Sequence, residues 1–422
     1  MSRAMKDSHI DWIGETPQDW KTIPFRRLFE ITKRLAGKTG FEVLSVTQQG
    51  IRIKDLSSNE GQMAQDYSNY QLVFPTDYVM NHMDLLTGYV DISSFTGVTS
   101  PDYRVFRARK PQEISLKYYL HIFQLCYKCK IFYHLGQGVS GLGRWRLPAK
   151  QLLLFELPLP PLGEQNVIAE FLDNKCSEID EMIYLQEKII DELKAYKQSV
   201  ITEAVCRGLN PNVPMKDSGI EWIGHIPEEW DMVRLKNIAV FINGYAFDSE
   251  DFRLEDGVPI IRIGDITPNV NYENCLKHEY KDYMSPYRVM KGDILVAMSG
   301  NVGKISYIEE DKEAYINQRV GIIRSGDNYY LKYVLLFNGF IEHASQLNFG
   351  SVISNISSGS IMNYCFPLPS ANERRKITIY LDSMCAKIDA LISLKQSKIE
   401  ALREYKKSII YEYITGKKKL NG

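Results

Sequence analysis

The sequence predicts an α+β protein: two mixed α/β domains, strand-rich with packed helices, joined by two long helices that form an antiparallel coiled coil, all within an internal pseudo-two-fold duplication. Three observations predict it. Residues 5–20 recur at 215–230 with ten of sixteen positions identical and two more exchanging Asp for Glu; Trp12 and Trp20 match Trp222 and Trp230. A closing block recurs 209 positions on, with Pro158-Leu159-Pro160, Leu172-Asp173, Cys176, Ile179-Asp180 and Tyr196-Lys197 against Pro367-Leu368-Pro369, Leu381-Asp382, Cys385, Ile388-Asp389 and Tyr405-Lys406. Each closing block also carries a long one-sided apolar stripe. The stretches between signature and closing block scarcely match, so two divergent domains ride on a repeated frame, one physical job turned to two targets.

The elements follow in chain order. A signature segment (1–20) leads into the first domain (21–157), a central helical spacer (158–210), the second signature (211–230), the second domain (231–366) and a C-terminal helical spacer (367–422). In the first domain, 41–46, 71–74, 77–80 and 104–106 are short β-rich runs separated by turn residues, while 116–127 has helical apolar spacing. In the second, 258–263, 293–298 and 320–323 are the strand candidates, and 331–340 repeats the helical pattern. Each domain is expected to be a twisted sheet or partial barrel with one or two packed helices. From Ser177 to about Val205 the stripe of Ile179, Ile183, Ile190, Leu193 and Val200 predicts an amphipathic helix of roughly thirty residues, about 45 Å long, and 386–414 repeats it. Such a stripe must be buried, and its nearest equivalent is its own duplicate, so the two helices are expected to pair. Gly208 and Gly416 are stop signals at their C-termini.

The 422 residues suit two cores of ordinary size, and an apolar fraction of 44% is that of a globular protein. The polar opening residues and the lack of a continuous membrane-length apolar run lead to the expectation of a cytoplasmic protein. Seven scattered cysteines fit reduced thiols. The net charge of −1 hides an asymmetry: residues 21–160 hold 18 basic and 11 acidic side chains, residues 231–366 hold 13 and 17. If both domains bind nucleic acid, the second needs a local basic patch or phosphate contacts from a partner.

The Met-Lys-Asp-Ser-x-Ile-x-Trp-Ile-Gly-x-x-Pro-x-x-Trp signature, the Pro-Leu-Pro exit followed by Glu164-Gln165, and the Ile-Asp…Leu-Lys-x-Tyr-Lys-x-Ser helix together resemble the specificity subunit of a type I restriction–modification system over the whole chain. The second domain adds Gly244-Tyr245-Ala246-Phe247, Ile261-Arg262-Ile263 and Gly292-Asp293-Ile294-Leu295 through Gly303. Two departures stand in the first half: Val205-Cys206-Arg207-Gly208 replaces the ending kept at Ile414-Thr415-Gly416-Lys417, and Thr76-Asp77-Tyr78-Val79 replaces the Gly-Asp-Ile-Leu segment. The resemblance implies two target recognition domains, each reading half of a split double-stranded DNA site. It also implies helices that set the spacer and dock methyltransferase subunits, two of them, with restriction and translocase subunits reached through the complex. Two readers held apart recognise half-sites separated by a non-contacted gap.

Base readout needs Arg, Lys, Asn or Gln at base edges. The candidates are Lys33, Arg34, Gln48, Gln49, Arg144 and Arg146 in the first domain, and Tyr245, Arg262, Asn301, Lys304, Gln318, Arg319 and Asn355 in the second. Arg262, inside a strand pattern, is also suited to pair with a buried carboxylate. Catalysis finds no support, because no Pro-Pro-aromatic methyltransferase loop, Walker lysine loop or His-Glu-x-x-His cluster occurs. No cofactor or metal is expected in this chain. Gly136-Gln137-Gly138-Val139-Ser140-Gly141 follows a helical rather than a strand pattern, and Cys126-x-x-Cys129, between His121 and His134, has no second Cys pair to complete a zinc site. The alternative functions are a duplicated protein-interaction scaffold without DNA contact, suited to the acidic second domain, and an enzyme acting alone.

Overall fold

The computed structural model describes residues 3–55, 66–138, 145–300, 302–346 and 355–420. It forms two compact units, one of residues 1–187 with 397–422 and the other of residues 188–396.

In the first unit the signature folds as a hairpin, Met5–Asp7 against Glu15–Pro17. The chain then enters a strand, Lys21–Pro24, that pairs with Glu156–Leu159 at the exit of the domain. Between them lies a four-stranded antiparallel sheet built from β1 (Phe29–Thr32), β2 (Tyr78–Met80), β3 (Val90–Ile92) and β4 (Arg104–Ala108), in the spatial order β1-β4-β2-β3. Helix α1 (Leu116–Lys128) lays its apolar face on this sheet, so that Phe25, Phe29, Tyr78, Phe106 and Phe123 form one buried aromatic cluster with edge-on and stacked rings. Helix α2 runs from Leu162 to Arg207. Its first turns supply Ile168, Ala169, Leu172 and Cys176 to the same core, which Ile409, Ile410 and Ile414 close from the chain's last helix.

The second unit repeats this plan with different residues. Its signature hairpin is Met215–Asp217 against His225–Pro227, and Asp231–Arg234 pairs with Cys365–Leu368. Strands β5 (Val240–Asn243), β6 (Ile294–Ala297), β7 (Ile305–Tyr307) and β8 (Val320–Arg324) take the order β5-β8-β6-β7, the same as in the first unit. Helix α3 (Asn328–Leu336) covers the sheet, and Ile377, Leu381 and Cys385 of α4 (Ala371–Ile414) enter the core with Val200, Ile201, Ala204 and Val205 of α2. The helical run expected over 331–340 therefore begins earlier and breaks at Phe337, whose extended backbone (φ −67°, ψ 139°) lets its ring turn into the core.

Both long helices exceed their sequence-based bounds, at 46 and 44 residues. The added N-terminal turns carry the same apolar face onward, with Ile168, Leu172 and Cys176 leading to Ile179 and Ile377, Leu381 and Cys385 leading to Ile388 at helical spacing. In these turns the face enters a domain core. Within the first unit Lys406 reaches Asp180 at 2.5 Å and Arg403 reaches Glu187 at 3.0 Å, and within the second Lys197 reaches Asp389 at 2.6 Å. Partners ascend on one helix as they descend on the other, so the paired segments run antiparallel. At the C-termini Gly208 and Gly416 adopt left-handed φ of 77° and 75° and pack against Trp230 and Trp20 respectively. Those indoles donate to the helix-opening carboxylates, Trp20 to Glu164 at 2.9 Å and Trp230 to Glu373 at 3.3 Å. The repeated residues are thus the joint between signature hairpin and helix. No helix among the described residues is long and apolar enough to cross a membrane.

Candidate nucleic-acid interface

In the second unit, backbone hydrogen bonds tie five segments into one rim. Tyr245 N donates to Ile316 O (3.1 Å), Asn317 N to Ile261 O (2.9 Å), Met298 N to Arg319 O (3.0 Å) and Ile356 N to Met298 O (2.9 Å). Six sequence candidates come together here. Gln318 and Arg319 form the exposed turn before β8, and Lys304 is exposed at the end of the β6–β7 loop. Asn355 is exposed where it bridges Ser299. Tyr245 lies 5.0 Å from Tyr283 and 5.3 Å from Tyr287, ring centre to ring centre. Arg262 sits 3.6 Å from Asp265, a carboxylate whose Oδ2 also accepts the Arg262 amide at 2.9 Å, so it pairs with a largely buried acid while its own side chain stays 39% exposed. Asn301, like Arg144 in the first unit, lies outside the described residues.

The first unit has a corresponding rim, centred on the loop joining β2 to β3, residues 81–89. The equivalence is fixed by hydrogen bonds: Asn81 N donates to Tyr89 O as Ala297 N does to Lys304 O, each at 2.9 Å. Leu147 N donates to His82 O as Ile356 N does to Met298 O, again at 2.9 Å, which puts Arg146 in the place of Asn355. Gln48 and Gln49, at the exposed tip of the hairpin Leu44–Thr47 to Gly50–Ile53, are joined to the same loop by a bond from Gln48 Nε2 to Thr87 O at 3.4 Å. Lys33 and Arg34 follow β1 on a segment held elsewhere, by the bond from Leu72 N to Arg34 O at 2.7 Å. Lys33 is exposed, whereas Arg34 turns back to an ion pair with buried Asp77 and lies over the Phe74 ring.

The 81–89 loop carries none of the sequence candidates. Its position was hidden because its residues do not resemble those of 298–304; the one available signal was its place between two strand-like runs. Burial lowers the His82 pKa to about 4, with Arg104 and Arg146 adding repulsion, so His82 is neutral at pH 7 and its Nδ1 is buried without a hydrogen-bond partner. Burial likewise brings Arg104 down to about 10, and its guanidinium donates to Leu147 O at 3.1 Å. Tyr283 and Tyr287 in the second unit were also missed, since only the packing around Tyr245 reveals them.

Cys126 is buried in α1, Cys129 is exposed, and His121 bonds Asp173 at 2.8 Å. The hydrogen bond from His121, with a second from Lys117, holds Asp173 down at about 2. Lys332 reaches the matching Asp382 at 2.7 Å. No cluster of metal-ligating side chains occurs among the described residues. Gly136, first of the glycine run, follows the Ile131–His134 helix and packs on Trp145.

A constant frame carrying two unlike rims of hydrogen-bonding and cationic side chains defines a duplicated recognition protein. The chain belongs to the type I restriction modification DNA specificity domain family, whose model matches it twice, over residues 17–195 and 227–402. It is 31% identical to the type I restriction enzyme MjaVIII specificity subunit of Methanocaldococcus jannaschii over 67% of each chain. It is 26% identical to the putative MjaX specificity subunit of the same organism, over 96% of this chain and 95% of that one. A chain solved in work on complex assembly and conformational transition of the type I R-M system superposes with a TM-score of 0.70 at 15% identity, covering 94% of this chain and 98% of its own. That likeness establishes a shared fold.

Proposed function

We propose that this chain is the non-catalytic DNA-specificity subunit of a type I restriction–modification complex, each rim reading one half of a split double-stranded site. The observation that carries the reading is the identical strand order of two domains whose rims share almost no residues. A frame is kept while the reading surface varies, as recognition of two unlike half-sites requires. We further propose that α2 and α4 wind as an antiparallel coiled coil, a reading supported by the Asp180–Lys406, Glu187–Arg403 and Lys197–Asp389 pairs. The coil would set the gap between half-sites and dock two methyltransferase subunits. Exposed Tyr184 and Leu185 in the first unit, and Tyr196, Leu391 and Leu394 in the second, support uncovered apolar helix surface in each unit suited to such partners. Methylation, cleavage and ATP hydrolysis then belong to partner subunits, and the chain works in the cytoplasm.

The test is co-expression with a methyltransferase subunit in a methylation-free host, followed by genome-wide mapping of methylated bases. A split motif with a fixed gap is expected, and deleting four residues, about one turn, from one helix should change the gap while both half-sites persist. Altered half-site sequences would refute the ruler. The acidic second domain favours the scaffold as second reading; DNA binding that weakens steeply with salt excludes it.

A further inference from the structure

On the first rim the 81–89 loop presents Leu86 to solvent, 56% exposed, while its neighbour Leu85 is buried in the core. The loop is not free to fold that leucine away. The Asp84 carboxylate accepts the amides of Leu86 (2.9 Å) and Thr87 (3.0 Å) together with the Thr87 hydroxyl, and Gly88 N donates to Asp84 O at 3.0 Å. On one side Gln48 bonds Thr87 O, and on the other Leu85 N donates to Trp145 O at 3.1 Å, next to Arg146. A hydrogen-bonded turn therefore holds one aliphatic side chain in water on a loop tethered to a glutamine on one side and to the residue before an arginine on the other, the residue types that read base edges.

Leucine cannot donate or accept a hydrogen bond, so its contribution to such a rim must be apolar. The apolar group that a base pair offers in the major groove is the C5-methyl of thymine. The flanking Gln48 and Arg146 argue for that groove, where amide and guanidinium groups discriminate all four pairs, rather than for the minor groove, whose pattern is degenerate. In the second unit the segment between the equivalent hydrogen bonds is one residue shorter and its sequence, 298–304, holds no leucine, so the contact belongs to the first half-site. Resting on the specificity reading, we infer that Leu86 is a specificity-determining residue that selects a T·A pair in the first half-site through contact with the thymine methyl group.

The test uses the whole complex of this chain with its methyltransferase subunits. Leu86→Ala should fold and assemble as the parent does, because the side chain is exposed. Methylation mapping should show one position of one half-site relaxing from T·A, with discrimination there falling about tenfold. Replacing that thymine by deoxyuridine, which lacks only the methyl group, should weaken binding of the parent complex and leave the L86A complex unchanged. Unchanged base preference in L86A, a uniform loss over all sequences, or equal deoxyuridine effects on both complexes would overturn the inference. A parent complex that methylates no split motif would instead overturn the specificity reading beneath it.

Discussion

The turns that lead into β2 and β6 occupy the same place in the two units and solve the same problem with different residues. Thr76 and Gly292 both take left-handed φ, 75° and 89°. Asp77 and Asp293, both nearly inaccessible, each accept the amide three residues back, Phe74 at 2.9 Å and Met290 at 2.8 Å. The partners differ. Asp293 is held by Arg324 through two bonds of 2.7 Å from the end of β8, whereas Asp77 is held by Arg34 from the segment after β1. The hairpin dictates where the buried carboxylate sits, and any strand end within reach can supply its cation. Sequence can therefore diverge around a fixed charge without loss of the fold, which is the freedom a recognition domain needs.

The comparison breaks most visibly if one of these cations is removed. Arg324→Ala and Arg34→Ala each strand a buried carboxylate and should each cost about 3 kcal/mol in chemical denaturation. A cost for R34A well below that of R324A would mean that the two pairs are not equivalent. Next in size is the helix-end joint. A Cβ on Gly416 would come within 2.5 Å of the Pro17 ring, against 3.0 Å to Trp230 from Gly208. Gly416→Ala should therefore cost about 2 kcal/mol and Gly208→Ala nearer 1, and thermal melts that reversed this order would contradict the packing described.

Smaller again is the turn itself. Thr76→Gly relieves a β-branched residue of left-handed strain and should raise stability by about 1 kcal/mol, while Gly292→Thr should lower it by a similar amount. Smallest at neutral pH is His82, whose pKa falls from 6.5 to about 4 on folding. The unfolded chain takes up the proton first, so this group's contribution is complete above pH 6.5 and is lost as pH falls toward 4. Denaturation of His82→Asn between those values should show a flatter pH dependence than the parent, and parallel curves would remove His82 as the cause.

How far the site was legible follows from what each residue needed. Gln318, Arg319 and Lys304 fall on the exposed rim because polar side chains in turn-rich sequence reach solvent once the neighbouring strands form. Arg34 looked like one of them, yet its guanidinium serves Asp77, forty-three positions on and invisible to any local pattern. The 81–89 loop was illegible for the opposite reason: its role comes from standing where 298–304 stands, and only strand pairing establishes that.

Sequence alone determined the duplication, the long helices and the inner strands β2, β4, β6 and β8 of the two four-stranded sheets, because repeats, apolar periodicity and turn residues act over a few positions and survive without the rest of the chain. Tertiary structure decided the shared order of the two four-stranded sheets and the helix starts at Leu162 and Ala371. It also decided that Ile409, Ile410 and Ile414 complete a core begun by Trp20 and Phe25. Those choices rest on side chains hundreds of residues apart excluding water together, and buried area of that kind has no signature until the chain is folded.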